Sequence, residues 1–153
     1  MSSLEAARAT LIAELREHAL VLGDVTLSSG QKASYYVDAR RALLRPAGFL
    51  AAGELIAAAA AESGADAVGG PVMAAIPLAC AAIAVPAGSG LAGFFVRKER
   101  KEHGLQRWVE GPVEAGTRCL VVEDTVTTGG STVAAIERIR GEGLEVVATL
   151  CVV

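Results

Sequence analysis

Glu123 and Asp124 end an apolar run and stand directly before a string of hydroxyls and glycines, in LVVEDTVTTGGST from Leu120 to Thr132. Two adjacent acids at the end of a buried strand are costly unless they meet hydroxyls or a metal-bound ligand. The residues after them suit an anion. Thr125 to Thr132 leaves a strand and enters a helix, so unpaired N–H groups of the helix start face outward. Gly129 and Gly130 permit close backbone approach, and Thr127, Thr128, Ser131 and Thr132 add hydroxyls. Acid and anion repel, so a ligand that satisfies both must carry two kinds of group. A sugar phosphate does: its hydroxyls donate to the carboxylates while its phosphate enters the loop. The Thr-Gly-Gly turn alone favours an ordinary helix cap; the acid pair shifts the balance. Other phosphate loops are excluded, since Lys occurs only at 32, 98 and 101 and no G-x-G-x-x-G comes after a strand.

A second group of reactive side chains lies in VRKERKEHG, where Arg97, Lys98, Lys101 and His103 are interleaved with Glu99 and Glu102. By itself this reads as a solvated charged loop. Tyr35 and Tyr36 sit together in an alternating stretch, so one of them is expected to face inward. Lys32 and Arg40 lie near that stretch without an assigned role, and His18 reads as structural.

The elements that must position these groups can be read from pattern. Leu4, Leu11, Ile12, Leu15 and Leu22 recur at roughly helical spacing, which predicts an amphipathic helix from Ser3 to about Leu20. TLSSGQKASYYVDAR predicts a β-hairpin about its Ser-Ser-Gly turn. Pro46 opens a helix that stops near Gly64, and a strand begins at Ala67–Val68. A helix around Leu78 to Val85, a strand at Leu91–Val96, a strand at Cys119–Val122, a helix at Ser131–Arg140 and a strand at Val146–Val153 complete the order. Strands alternating with helices, and apolar on both faces, predict an α/β fold with a parallel sheet covered on both sides. Ligands of such sheets sit beyond the carboxyl ends of the strands, where the acid pair falls.

Composition sets the bounds. At 153 residues the chain reads as a single domain with a real core, 52% hydrophobic and only 4% aromatic. A net charge of −3 argues against a general nucleic-acid binder. Cys80, Cys119 and Cys151 each sit in an apolar run without metal-ligand spacing and read as three buried cytosolic thiols. Ala67 to Val96 carries no charge, but its glycines and prolines break the run too often for a transmembrane helix. The N-terminus carries charges inside its apolar pattern and is no signal peptide. The expectation is a soluble, cytoplasmic protein with no membrane and no nucleic-acid partner.

LVVEDTVTTGGST resembles the phosphoribosyl-pyrophosphate (PRPP) signature of type I phosphoribosyltransferases. VRKERKEHG is similar to the Arg-Lys-x-x-Lys-x-His-Gly loop of the orotate phosphoribosyltransferases in that superfamily, and SSGQKASYYVD to their N-terminal hairpin. The resemblance implies the type I phosphoribosyltransferase fold, a parallel sheet flanked by helices, with residues 1 to about 45 forming a small hood. It implies transfer of the phosphoribosyl group from PRPP to orotate, with Mg²⁺ held mainly by PRPP oxygens and water rather than by a protein cage. Glu123 and Asp124 would hold the ribose hydroxyls, near developing positive charge. Thr125, Val126, Thr127, Thr128, Gly129, Gly130 and Ser131 would wrap the 5′-phosphate, with Thr127 also near orotate and Tyr35 and Tyr36 beside its ring. Arg97, Lys98, Lys101 and His103 would bind PRPP, and the last three would act in catalysis as the loop neutralises the leaving pyrophosphate. In the family that loop enters the neighbouring subunit's site, which implies a homodimer.

The sequence departs from the family at Ser28, where relatives often carry lysine, and at Met73–Ile76, an uncharged stretch where many carry a charge. The family also continues beyond the last strand with an Asp-Arg pair whose arginine meets orotate's carboxylate. This sequence stops at Val153, so it is either shortened or lacks that contact. The competing readings are a purine phosphoribosyltransferase and a PRPP-binding regulator without catalysis.

Overall fold

The computed structural model describes residues 3–26, 30, 32–99 and 107–153. The departure at Ser28 and the expected loop residues Lys101 and His103 lie outside the described residues.

Helix α1 (Ser3–Glu14) passes into a π-helical turn, Leu15–Ala19, before the chain becomes extended at Leu20. Strands β1 (Leu20–Thr26) and β2 (Lys32–Val37) pair antiparallel, with Leu20 opposite Val37 and Leu22 opposite Tyr35. The register slips between Leu22 and Val25, a bulge that takes up Gly23 and Asp24. Leu22 therefore leaves the helix face that its spacing predicted: it lies in β1 and is 75% exposed. Leu4 and Ile12 are exposed as well, and Leu11 alone of that series is buried. Both tyrosines are exposed, so neither enters the core. The hairpin is a two-stranded sheet of its own.

A short helix, α2 (Arg40–Leu43), comes after the hairpin without a clear sequence signal. Pro46 then opens α3 (Pro46–Ser63), where its missing N–H costs nothing. The remaining elements are β3 (Ala67–Pro71), α4 (Ala75–Ala84), β4 (Ala92–Val96), β5 (Val109–Glu110), β6 (Arg118–Glu123), α5 (Gly130–Gly141) and β7 (Glu145–Cys151). Their sheet runs β5-β4-β3-β6-β7, parallel throughout except for β5, which pairs antiparallel to β4 at the edge.

Side-chain parity divides the core between the two faces of this sheet. Val68, Leu120 and Val122 pack with Leu11, Leu43, Ile56 and Leu78 from the helices on one side. Ala67, Cys119 and Val121 pack with Ala135 and Ile139 of α5 on the other. Burial on both faces explains why β6 reads as a continuous apolar run. Gly70 allows a close approach between strands: a Cβ there would stand 2.2 Å from the Val122 carbonyl oxygen.

The thiols depart from expectation. Cys119 is buried, whereas Cys80 and Cys151 are exposed. Helix α4 is apolar nearly all round, so an apolar neighbourhood in sequence does not reveal which face Cys80 takes. Cys151 ends an edge strand. Among the described residues no helix is long and apolar enough to cross a membrane.

Candidate active site

The sheet order changes direction between β3 and β6: the chain proceeds from β3 outward to β4, while β6 and β7 lie on the other side. The loops leaving those two strands therefore diverge and open a crevice at their carboxyl ends. A cavity of about 920 Å³ occupies this position. Its floor is Met73 and Ala74 after β3, and Asp124, Thr125, Thr127 and Thr128 after β6. Its roof is the hairpin, through Val25, Thr26, Tyr36 and Val37, continued by Asp38, Ala39 and Arg40. Lys98, two residues beyond β4, closes one side.

The two acids separate. Glu123 shares the parity of Cys119 and Val121 and so points towards α5, where it is only 6% exposed. Ser131 Oγ and Thr132 Oγ1 each donate to its Oε2 at 3.4 Å. Burial, and then the charge of Asp124, push the Glu123 carboxyl above its usual range, against the pull of those hydroxyls. Asp124 lies just past the strand end and lines the cavity. Its Oδ1 accepts the Thr125 N–H at 2.7 Å, which fixes the carboxylate at the mouth of the loop.

Helix α5 begins without a side-chain cap, because its N-cap is Gly129 at φ +78°, a conformation that glycine adopts without strain. The first N–H groups of the helix thus lack the oxygen that Ser or Asp would supply, and they suit an anion. The loop is anchored behind: Val126 N–H donates to the Val153 carbonyl at 3.0 Å, and Val153 N–H to that of Asp124 at 3.0 Å.

The cationic segment is described at both ends. Arg97 points away from the cavity, with Nη1 3.4 Å from Glu110 Oε1 and Nε bonded to the Glu99 carbonyl. Arg97 N–H donates to the Trp108 carbonyl at 2.9 Å, which closes the base of the segment between them.

Of the residues singled out in sequence, the structure brings together Tyr36, Lys98, Asp124, Thr125, Thr127 and Thr128 around one cavity. Tyr35, Arg97, Val126, Gly129, Gly130 and Ser131 are not on its wall, although the last three form or adjoin the helix start beneath it. Sequence reasoning left Arg40 without a role and passed over Asp38, Thr26 and Val25. The only signal was position: Asp38 and Arg40 come after the tyrosine pair at the point where the hairpin returns to the main sheet. Among the described residues no group of three or more His, Cys, Asp or Glu is placed to hold a metal ion.

Residues 40–153 match the family described as the phosphoribosyl transferase domain. The orotate phosphoribosyltransferase of Corynebacterium glutamicum is 48% identical over 147 residues, covering 96% of this chain and 79% of that one. The crystal structure of Mycobacterium tuberculosis orotate phosphoribosyltransferase with Fe(III) dicitrate superposes with a TM-score of 0.85 at 42% identity, covering 95% of this chain and 82% of the other. The same enzyme in complex with PRPP gives 0.80 at 36% identity, covering 95% and 81%. The chain belongs to the phosphoribosyltransferase family, in its orotate phosphoribosyltransferase branch.

Proposed function

We propose that this chain transfers the phosphoribosyl group of PRPP to orotate, giving orotidine 5′-monophosphate and pyrophosphate in pyrimidine nucleotide synthesis. The observation that carries the reading is the placement of Asp124 and the Thr125–Thr128 loop on one wall of a cavity roofed by Tyr36 and flanked by Lys98. Residues 1–153 act as a single phosphoribosyltransferase domain, with residues 1 to about 45 as the hood over the base.

In this reading the 5′-phosphate lies in the loop from Thr125 to Ser131, against the uncapped start of α5. Asp124 accepts hydrogen bonds from the ribose hydroxyls. Glu123, buried behind the loop, holds the Ser131 and Thr132 hydroxyls and so fixes the loop's shape. As the C1′–pyrophosphate bond breaks and orotate N1 bonds to C1′, its proton passing to solvent, positive charge develops on the ribose beside Asp124, and negative charge leaves towards Lys98. Catalysis of this kind is positional and electrostatic. Lys101 and His103, by family resemblance, join Lys98 on the leaving group. Arg97 faces Glu110 here and contributes to PRPP binding only by turning from it.

Asp38 and Asp124 are the carboxylates on the cavity wall, and Asp38 is engaged by Arg40. Asp124 offers an oxygen donor of a type that fits Mg²⁺, which would be held mainly by PRPP oxygens and water and would neutralise diphosphate charge. The family resemblance also supports a homodimer with shared sites.

The test is loss of orotate's ultraviolet absorbance when protein, Mg²⁺ and PRPP are mixed. Turnover of adenine or hypoxanthine but not orotate would reassign the base. PRPP binding without turnover of any base would favour a regulator, a reading that draws on the uncharged wall at Met73 and Ala74.

A further inference from the structure

Arg138 lies on α5, off the cavity wall. Its Nη1 nevertheless donates to the Arg97 carbonyl at 2.8 Å. That oxygen belongs to the peptide unit joining Arg97 to Lys98, and a planar peptide carries the Cα of Lys98 with it. Arg97 is tied on its other side as well, since its N–H donates to the Trp108 carbonyl. Trp108 also supplies the ring on which the Arg138 guanidinium rests, and Glu142 accepts the Trp108 N–H.

Lys98 depends on this backbone. It is exposed and lines the cavity, and among the described residues no carboxylate pairs with it. An ammonium on a flexible four-carbon stem has no rigid fork to orient it, so its charge follows the place where its Cα is held. Arg138 supplies that hold through a charge-assisted bond, from a guanidinium that stacking keeps in one orientation. The bond has a fixed origin. Gly130 and Arg138 are on one helix, about 12 Å apart along its axis. Helix α5 therefore fixes the backbone of Lys98 relative to the uncapped helix start, and so the leaving-group end of the ligand relative to its 5′-phosphate.

We propose that Arg138 is a positioning residue for the transfer: through the Arg97 carbonyl it holds Lys98 where the diphosphate of PRPP lies. The inference rests on the phosphoribosyltransferase reading of the cavity. Arg138 touches no substrate in this account, and Trp108 holds it in turn.

The experiment is a double-mutant cycle on wild type, Arg138→Ala, Lys98→Ala and the pair. It is read by calorimetric titration with Mg–PRPP and, separately, with ribose 5-phosphate, which lacks the diphosphate. Arg138→Ala should weaken PRPP about fivefold or more in the wild-type background and less than about twofold once Lys98 is gone. Its affinity for ribose 5-phosphate should stay within about twofold. In the wild-type background kcat should fall about tenfold, with the KM for orotate within about threefold. Arg138→Lys keeps a cationic donor and should recover part of the PRPP affinity. Urea denaturation follows stability, whose loss should be the same with and without Lys98. If Arg138→Ala shows no cooperative transition, Trp108→Leu takes its place in the cycle and decides on the same criteria. Equal fold losses of PRPP affinity in both backgrounds overturn the inference. A matching loss for ribose 5-phosphate does so too, since it would place the effect on the phosphate cradle, as does unchanged PRPP affinity in Lys98→Ala. Failure of the cycle in a wild type that binds PRPP leaves the phosphoribosyltransferase reading standing; a wild type that binds no PRPP brings down both.

Discussion

The Arg138 guanidinium lies over the ring of Trp108, 4.0 Å from its centroid, and donates from Nη1 to the Arg97 carbonyl at 2.8 Å. Glu142, one turn further along, accepts the backbone N–H groups of Trp108 and Val109. The C-terminal end of α5 thus grips both ends of the cationic segment, while its N-terminus is the uncapped start proposed as the phosphate cradle. One helix sets the spacing between the two.

Replacing Arg138 by Ala should cost about 1–2 kcal/mol of stability, from the lost ring contact and hydrogen bond. Urea denaturation measures it. Arg138→Lys should retain the charge but lose the stacked fork, and should recover less than half of the cost. Because α5 links the segment to the cradle, kcat should fall more than the KM for orotate rises.

Glu123 gives a pH dependence of defined sign. Its carboxyl titrates above the usual range because it is buried beside Asp124. In the window between the unfolded value, about 4.3, and the higher folded value, the folded state binds the proton more tightly, so this group's contribution to stability declines as pH rises. Glu123→Gln keeps the shape and removes the titration. Its stability relative to wild type should therefore improve as pH rises through that window and level off above it. Chemical denaturation at a series of pH values tests this. A difference that is flat with pH, or of opposite slope, would contradict the burial cost.

The thiols should divide under native alkylation. Burial, with a smaller effect from Asp66, pushes the Cys119 thiol up to about 11, so it presents almost no thiolate at neutral pH. Cys80 and Cys151 are exposed. Iodoacetamide labelling, read by peptide mass spectrometry, should mark Cys80 and Cys151 in the folded protein, and Cys119 only after denaturation.

Gly70 tests the crevice. A methyl group there meets the Val122 carbonyl at 2.2 Å and the Ala75 side chain at 3.1 Å, and the nearer obstacle is backbone. Gly70→Ala should destabilise by about 1–3 kcal/mol and shift the loops on both sides. Thermal melting, read together with PRPP affinity, separates the two effects.

Much of the main sheet was legible because β3, β4, β6 and β7 are apolar on both faces and are punctuated by Gly and Pro. The boundaries of α3 were marked by Pro46 and Gly64. The hairpin was placed correctly, but its first strand begins at Leu20, because hydrophobic residues on an exposed two-stranded sheet carry no periodicity to separate them from a helix end. Strand β5 is only two residues long and defined by its pairing with β4, so no local pattern marks it. In the site, the loop from Asp124 to Thr128 was legible from residue type. That Glu123 would turn to α5 is a matter of strand parity, which becomes informative once Cys119 and Val121 are known to face that helix. Asp38 and Arg40 had to be seen in space, because what places them in the cavity is the fold of the hairpin over the sheet.

Calorimetric titration of Mg–PRPP into wild type and Asp124→Asn addresses the central claim most directly. The expected result is one site per chain in wild type and a loss of about tenfold or more in affinity for the variant, since a neutral amide is a weaker acceptor for the ribose hydroxyls. Equal affinities, or no heat with wild type, would contradict it.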